Sequence, residues 1–419
     1  MDFIGGNRQK RAFSRAQSQA GKSLALTIAL ILGQQANAAE ATSSAPASYD
    51  PAFVQQILKR LDAQEDEIKA LKGQLQSQGG TIDSMASSEA NKKDAYPRIS
   101  FHGFGDINYQ VTDAAHGKNA FALGELDFFI DSRISDKFRI INEDVLAADP
   151  NTQVFNFEIE RLLLQWTEND YFNVDVGRYH TGIGYYNTAF HHGTWFQTAV
   201  GRPGYLEFED GGGLIPAHNL GVSVSGDIPS GKWGLKYLAQ IGNGRSFTNE
   251  KLGNSPVQNV GDVNIYKAVN VAFSIKPEWL PGWEMGTGIY HDTLTPSGGV
   301  ARTDEILGHG FVVYKNSNWE FLSEGEIWRH KTRNEPEHIS HAMFGQIGRK
   351  FGVLTPYTRF TYRNASGNDP VWAQTAASPG LQYGPAAGIR WDFTQFAALK
   401  LQYDYMFQAG AEDLQSITV

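Results

Sequence analysis

Residues 98–111 read RISFHGFGDINYQV. Side chains on an extended chain alternate between two faces. That alternation puts Ile99, Phe101, Ile107, Tyr109 and Val111 on one face, with Gly103 and Gly105 between them. His102, Asp106, Asn108 and Gln110 fall on the other, together with Phe104. The next segment repeats the pattern: Ala122, Leu126, Phe128, Ile130 and Ile134 oppose Glu125, Asp127, Asp131 and Arg133. Carboxylates and a guanidinium do not face hydrocarbon, so that face lines water or is fully paired.

The motif recurs to the C-terminus. Further strands are expected near 137–147, 153–166, 170–178, 216–227, 232–243, 264–276 and 282–292. Others follow near 303–315, 318–330, 338–350, 352–364, 380–393 and 396–408. The 153–166 segment changes phase between Ile159 and Leu162, which predicts a bulge. An incomplete sixteenth strand begins at Asp413. Connections alternate in length: short turns such as 135–137, 315–318 and 349–352, then longer loops such as 179–213, 244–263 and 364–379. That asymmetry marks a transmembrane barrel, whereas a soluble β-sandwich has no need of it. The expected fold is an all-β transmembrane barrel of 16 antiparallel strands over 98–419, preceded by an α-helical coiled coil.

Composition agrees. Aromatics form 12% of the 419 residues, no cysteine is present, and no apolar run is long enough for a transmembrane helix. Trp233 and Trp319, just after turns, suit the bilayer interface, as do Tyr109, Tyr403, Tyr405 and Phe407. Residues 1–38 read as a signal peptide: Arg8, Lys10, Arg11, Arg15 and Lys22 form the basic region. Leu24 to Leu32 is its apolar core, and Ala36-Asn37-Ala38 its cleavage site. Its removal takes a net +4 from the formal −9, leaving −13. Export and an acidic balance exclude nucleic acid as a partner.

Residues 39–50 form a flexible leader, 51–80 a coiled coil and 81–97 a linker. The heptad positions are Val54, Ile57, Leu61, Gln64, Ile68, Leu71 and Leu75. Heptads alone do not fix the oligomeric state; a homotrimer fits the barrel best.

Several segments resemble the phosphate-selective porin family of Gram-negative outer membranes. They are RISFHGFGDINY, VDVGRYHTGIGYYN at the entry to the long loop, LTPYTRFTYR at 354–363, YGPAAGIRWDF at 383–393 and LKLQYDYMF at 399–407. The resemblance implies a trimeric 16-stranded barrel in the outer membrane, its third outer loop folded inside and its N-terminal segment in the periplasm.

The pore charge departs from that family. By strand phase the water face carries Arg133, Arg139, Arg178, Lys236, Arg359, Arg363, Arg390 and Lys400. Against these eight bases stand thirteen acids: Asp106, Glu125, Asp127, Asp131, Glu143, Glu158, Glu160, Glu284, Glu320, Glu324, Glu326, Asp392 and Asp404. That is no anion ladder, and phosphate binding does not carry over. The chain ending also departs, with no aromatic after Phe407; the closing strand reads as truncated, or else closure is unusual.

The loop 179–213 supplies the candidate constriction. Its charged and polar candidates, with those at its entry, are Arg178, His180, His191, His192, Arg202, Glu207, Glu209 and Asp210. Tyr185, Tyr186, Trp195 and Phe196 supply walls. The lumen wall is read as Asp106, Glu125, Asp127, Asp131, Arg133, Glu320, Glu324, Glu326, Arg359 and Arg390. Adjacent His191 and His192 point apart on an extended chain, so no metal is expected, nor any cofactor. Glu320, Glu324 and Glu326 read as pore wall rather than as an acid–base pair, and no nucleophile elbow is found. The expected function is passive passage of small hydrophilic solutes across an outer membrane, in contact with its lipid. The alternative is a plugged barrel with a structural, envelope-tethering or enzymatic role.

Overall fold

The computed structural model describes residues 55, 96–114, 117, 119–149, 153–190, 193–208, 211–245, 247–248, 251–252, 261–262, 264–295, 301–374 and 379–419. The expected signal peptide, leader, coiled coil and most of the linker lie outside them, as do His191, His192, Glu209 and Asp210.

Alternation becomes a closed antiparallel wall. Its first strands are β1 (Arg98–Thr112), β2 (Ala120–Arg133), β3 (Phe138–Asp149), β4 (Val154–Asn169), β5 (Phe172–His180), β6 (His218–Ile228) and β7 (Leu235–Gly242). A small hairpin outside the wall follows, β8 (Phe247–Thr248) and β9 (Lys251–Leu252). The wall resumes with β10 (Ala268–Ile275), β11 (Trp283–Leu294), β12 (Thr303–Lys315), β13 (Trp319–Thr332) and β14 (Glu337–Arg349). It ends with β15 (Leu354–Ala365), β16 (Gly380–Trp391), β17 (Leu399–Gln408) and β18 (Leu414–Thr418). Sixteen strands close the ring, each beside its neighbour in sequence, with β18 against β1. The expected strand count stands.

Closure is brief. β18 meets β1 at Gln110↔Thr418, Val111↔Ile417 and Thr112↔Ser416, and Val419 exchanges two backbone bonds with Tyr109. Among the described residues no strand lies between β17 and the part of β1 that precedes Tyr109.

Two bulges set where side chains aim. Opposite β3, Glu143 pairs with Arg161 and Asp144 with Ile159, so Glu160 is the extra residue. This is the bulge expected between Ile159 and Leu162, and it turns both Glu160 and Arg161 inward. A second lies on β2, where Gly105 pairs with Leu126 but Ile107 with Leu123. Asp106 Oδ1 accepts the Glu125 N–H there, at 3.1 Å. This bulge corrects the sequence reading of Ala122. It pairs with inward-facing Asn108, while Phe121 and Leu123 point outward and are exposed.

The outer surface is apolar, with Phe101, Ile107, Phe128, Leu164, Phe273, Ile327 and Phe360 exposed on it. Aromatic pairs gather at the short-turn end: Phe138 with Trp166, Trp233 with Trp279, and Trp391 with Phe393. Arg349 sits 4.9 Å over the Trp319 ring at the same end. A flat ring with one polar handle suits the boundary between water and hydrocarbon.

Candidate functional site

The connection from β5 to β6, residues 181–217, folds into the barrel. Its large apolar side chains build the core: Ile183, Tyr186, Phe190, Tyr205, Leu206, Leu214 and Ile215 are all buried. They pack on inward-facing Tyr290, Leu307, Leu322, Trp328 and Phe344 of β11 to β14. Each such side chain contributes about 1.5–3 kcal/mol on leaving water. The inner wall here is therefore partly apolar, where strand alternation alone led to a polar face. A single turn of helix, α1 (Tyr186–Ala189), begins the inward path.

Wall side chains then fasten the loop's backbone. Gln240 Oε1 accepts the Gly182 N–H at 2.9 Å, and Asn270 Nδ2 donates to the Gly182 carbonyl at 3.1 Å. His309 Nδ1 accepts from Gly184 at 3.0 Å. Glu324 Oε2 accepts two N–H groups, from Tyr185 at 2.7 Å and Tyr186 at 2.8 Å. Further along, Arg390 donates to the carbonyls of Trp195 and Gln197 at 2.7 and 2.8 Å. Arg359 donates to Gly201 at 2.9 Å, Lys400 to Ala199 at 3.2 Å, and Gln402 exchanges two bonds with Val200 at 3.0 Å. Seven strands hold one loop.

These clamps give Arg359, Arg390 and Lys400 a different part from free pore lining. Their donors are engaged by carbonyls, so they position the loop as well as charging the lumen. Glu324 and Glu326 face inward as expected, yet the loop covers them and leaves 3% and 4% exposure. Tyr186 is core, and Tyr185 is half-buried beside Phe311. Burial, with Glu284 and Glu320 nearby, pushes the Tyr185 hydroxyl up to about 12. Burial next to Glu326 and Glu324 raises that of Tyr205 well above the usual phenol value. Tyr205 therefore keeps its proton, which it donates to the Glu324 carbonyl at 3.2 Å.

No protein-family model matches the sequence, and no curated protein does so at significant similarity. Solved structures do match in shape. An anion-selective porin from Comamonas acidovorans is similar at TM-score 0.54 and 13% identity, over 77% of this chain and 98% of that one. The outer membrane channel DcaP of Acinetobacter baumannii is similar at TM-score 0.53 and 10% identity, over 77% and 96%. In-vitro folded OmpT of Vibrio cholerae, in its trimer form, follows at 0.51 and 9%, over 77% and 98%. The sixteen-stranded closed barrel shares its fold with these outer-membrane proteins.

Within this barrel the loop packs against the inward faces of β11 to β14. At the loop's level a cavity of about 500 Å³ is lined by Asp106, Glu125, Glu207, Asp404, Arg202 and Arg359. Four carboxylates face two guanidiniums. Arg202 is itself a staple within the loop, donating to the Leu206 carbonyl at 2.5 Å and lying 4.4 Å over the Phe208 ring.

The other expected site residues are placed as follows. Arg178 and His180 are buried at the end of β5. Arg178 lies 3.9 Å from Glu160, and His180 lies 3.6 Å from Glu143. Asp127 is buried, Arg133 is exposed at the short-turn end of β2, and Glu320 is 3.5 Å from Lys315. Asp131 holds Arg139 by two bonds, 2.6 and 2.7 Å. Trp195 lies under the Arg390 guanidinium at 5.1 Å, and Phe196 is exposed. Sequence reasoning missed Gln240, Asn270, His309 and Gln402 as anchors. Each is one more polar residue on an inward face, indistinguishable there from pore lining.

Proposed function

We propose that this chain is an outer-membrane porin passing small hydrophilic solutes and ions by passive diffusion, with a modest preference for cations. The observation that carries the reading is the cavity at the level of the inward loop, lined by four carboxylates and two arginines. Fixed charges at close quarters select ions by sign. The apolar exterior between aromatic girdles supports a bilayer setting, with the short turns on the periplasmic side. The Comamonas acidovorans porin is anion-selective; the acidic passage here supports the opposite sign.

Reversal potential in a salt gradient tests this. Wild-type protein is expected to prefer the cation, and Glu207→Gln and Glu125→Gln each to move the potential toward the anion. A clear anion preference in the wild type defeats the selectivity, and absence of conductance defeats the channel. The second reading, a plugged barrel with a structural or enzymatic role, draws on the loop packed inside the barrel and predicts that absence.

A homotrimer is part of the proposal, supported by the trimer form of one neighbour and by the heptads of 51–80. Deleting 51–80 is expected to leave the conductance of each pore unchanged, because the barrel closes from its own strands. Changed single-pore conductance in planar bilayers contradicts this.

A further inference from the structure

Below the loop, toward the short-turn end, lies a second space of about 650 Å³, lined in part by Phe104, Phe129, Asp131, Arg139, Arg161 and Phe196. Its volume falls within the roughly 300–1,000 Å³ of ligand pockets. Phe104 and Phe129 are aromatic intruders on inward faces that otherwise carry His102, Asp106, Asn108, Asp127 and Asp131. The loop brings Phe196 to them. Phe104 and Phe196 meet edge to face with centroids 5.2 Å apart, and Phe104 lies 5.7 Å from Phe129. Trp195 adds a fourth ring at the rim.

Two features separate this cluster from ordinary core. The loop buries Ile183, Tyr186, Phe190, Tyr205, Leu206, Leu214 and Ile215 to 5% exposure or less, yet Phe196 is 56% exposed on the water side. Secondly, the charged groups around the rings are matched. Arg139 is bonded to Asp131 at 2.6 and 2.7 Å, Arg161 to Glu143 at 2.5 Å, and Arg390, beside Trp195, to Asp392 at 2.8 Å. Arg161 also lies 5.9 Å over the Phe129 ring. An anion gains little net attraction from cations already neutralised this closely. What remains is flat apolar ring surface bordered by donors and acceptors in equal supply.

A sugar ring has the complementary chemistry. Its faces present C–H groups to aromatic rings, and its edge presents hydroxyls that both donate and accept. We propose that this vestibule is a subsite for neutral saccharides in transit, stacked on Phe104, Phe129 and Phe196 and bonded by the Asp131–Arg139 pair and by Arg161. The proposal names a solute class for the porin reading and rests on it.

The test records single-channel current of the full chain in planar bilayers with maltose, with a poly(ethylene glycol) of equal hydrodynamic size, and with benzoate. Maltose is expected to interrupt the current saturably, and the polymer to lower it without saturation. Phe129→Ala and Phe196→Ala should each weaken the maltose effect about tenfold, the loss expected for one aromatic contact, while Phe196→Trp retains it. Isothermal titration of detergent-solubilised protein with maltose reads the same site without conductance, and separates loss of the subsite from loss of the channel. The proposal is overturned if maltose acts like the polymer, if benzoate blocks and maltose does not, or if both alanine variants bind maltose as the wild type does. It is equally overturned if titration of a non-conducting wild type shows no binding.

Discussion

Replacing Arg245 with alanine is expected to cost about 3–5 kcal/mol of stability, the usual loss when one partner of a buried ion pair is removed. Arg245 leaves the wall after β7 and turns inward. Its Nη2 donates to both oxygens of Glu305 at 2.8 and 2.6 Å, and its Nη1 to the Leu214 carbonyl at 3.0 Å. Glu305 has no exposure to water. Its Oε2 also meets His330 Nε2 at 2.8 Å, and His330 Nδ1 meets Asp369 at 2.6 Å. One cluster thus ties three outer connections to the rim of β12 and β13. Removing the guanidinium leaves Glu305 and Asp369 sharing a single histidine. Arg245→Lys should recover only part of the loss, since a single ammonium lacks the second nitrogen that reaches the Leu214 carbonyl while the first holds Glu305. Arg302→Ala is the control, because its 3.4 Å contact with Asp304 is exposed and should matter little. Urea unfolding of the solubilised barrel measures all three. Equal midpoints for Arg245→Ala and Arg302→Ala refute the argument.

That cluster also marks where the sequence stops being legible. Strand number was readable because a barrel imposes a period of two and an alternation of turn lengths. Closure was not: the closing strand read as truncated, yet the short β18 completes the ring. The inward loop was expected from its irregular, aromatic-rich composition and from the family resemblance. The Glu160 bulge was readable because it broke that period. The β2 bulge was not, since Gly124 between Leu123 and Glu125 leaves no visible break and Ala122 suits either face. Inward polarity fixes a side chain's direction but not its partner. Arg359 and Arg390 look the same in sequence whether they face water or clamp carbonyls of a loop 158 to 195 residues away. Arg245 sits among Gly and Asn in an outer loop, where nothing local announces a buried carboxylate. What decides these cases is where the loop lies, and that is set by tertiary packing of Ile183, Tyr186, Tyr205 and Leu206.

The entry of the loop depends on Glu324, and Glu324→Ala should release it. Its Oε2 is the acceptor for both the Tyr185 and Tyr186 N–H groups. Without it two buried donors are orphaned, at about 1–3 kcal/mol each. Opposing that loss are seven buried apolar side chains, each worth a similar amount, so the loop stays seated as a whole. The loosened part is the first turn after Gly184. A local opening made about 2–6 kcal/mol easier raises the open population at least tenfold. Chymotrypsin should therefore cut at Tyr185, Tyr186 or Phe190 at least about tenfold faster in Glu324→Ala than in wild type. Glu324→Gln keeps an acceptor oxygen in place and should resist cleavage. Gly184→Val reaches the same result by another route. Gly184 has φ +67°, and the Glu324 carboxylate occupies the space its Cβ would need. A branched side chain there is strained and displaces the acceptor at once. If Glu324→Ala and Gly184→Val are both as protease-resistant as the wild type, packing alone holds the entry and the carboxylate is not its anchor.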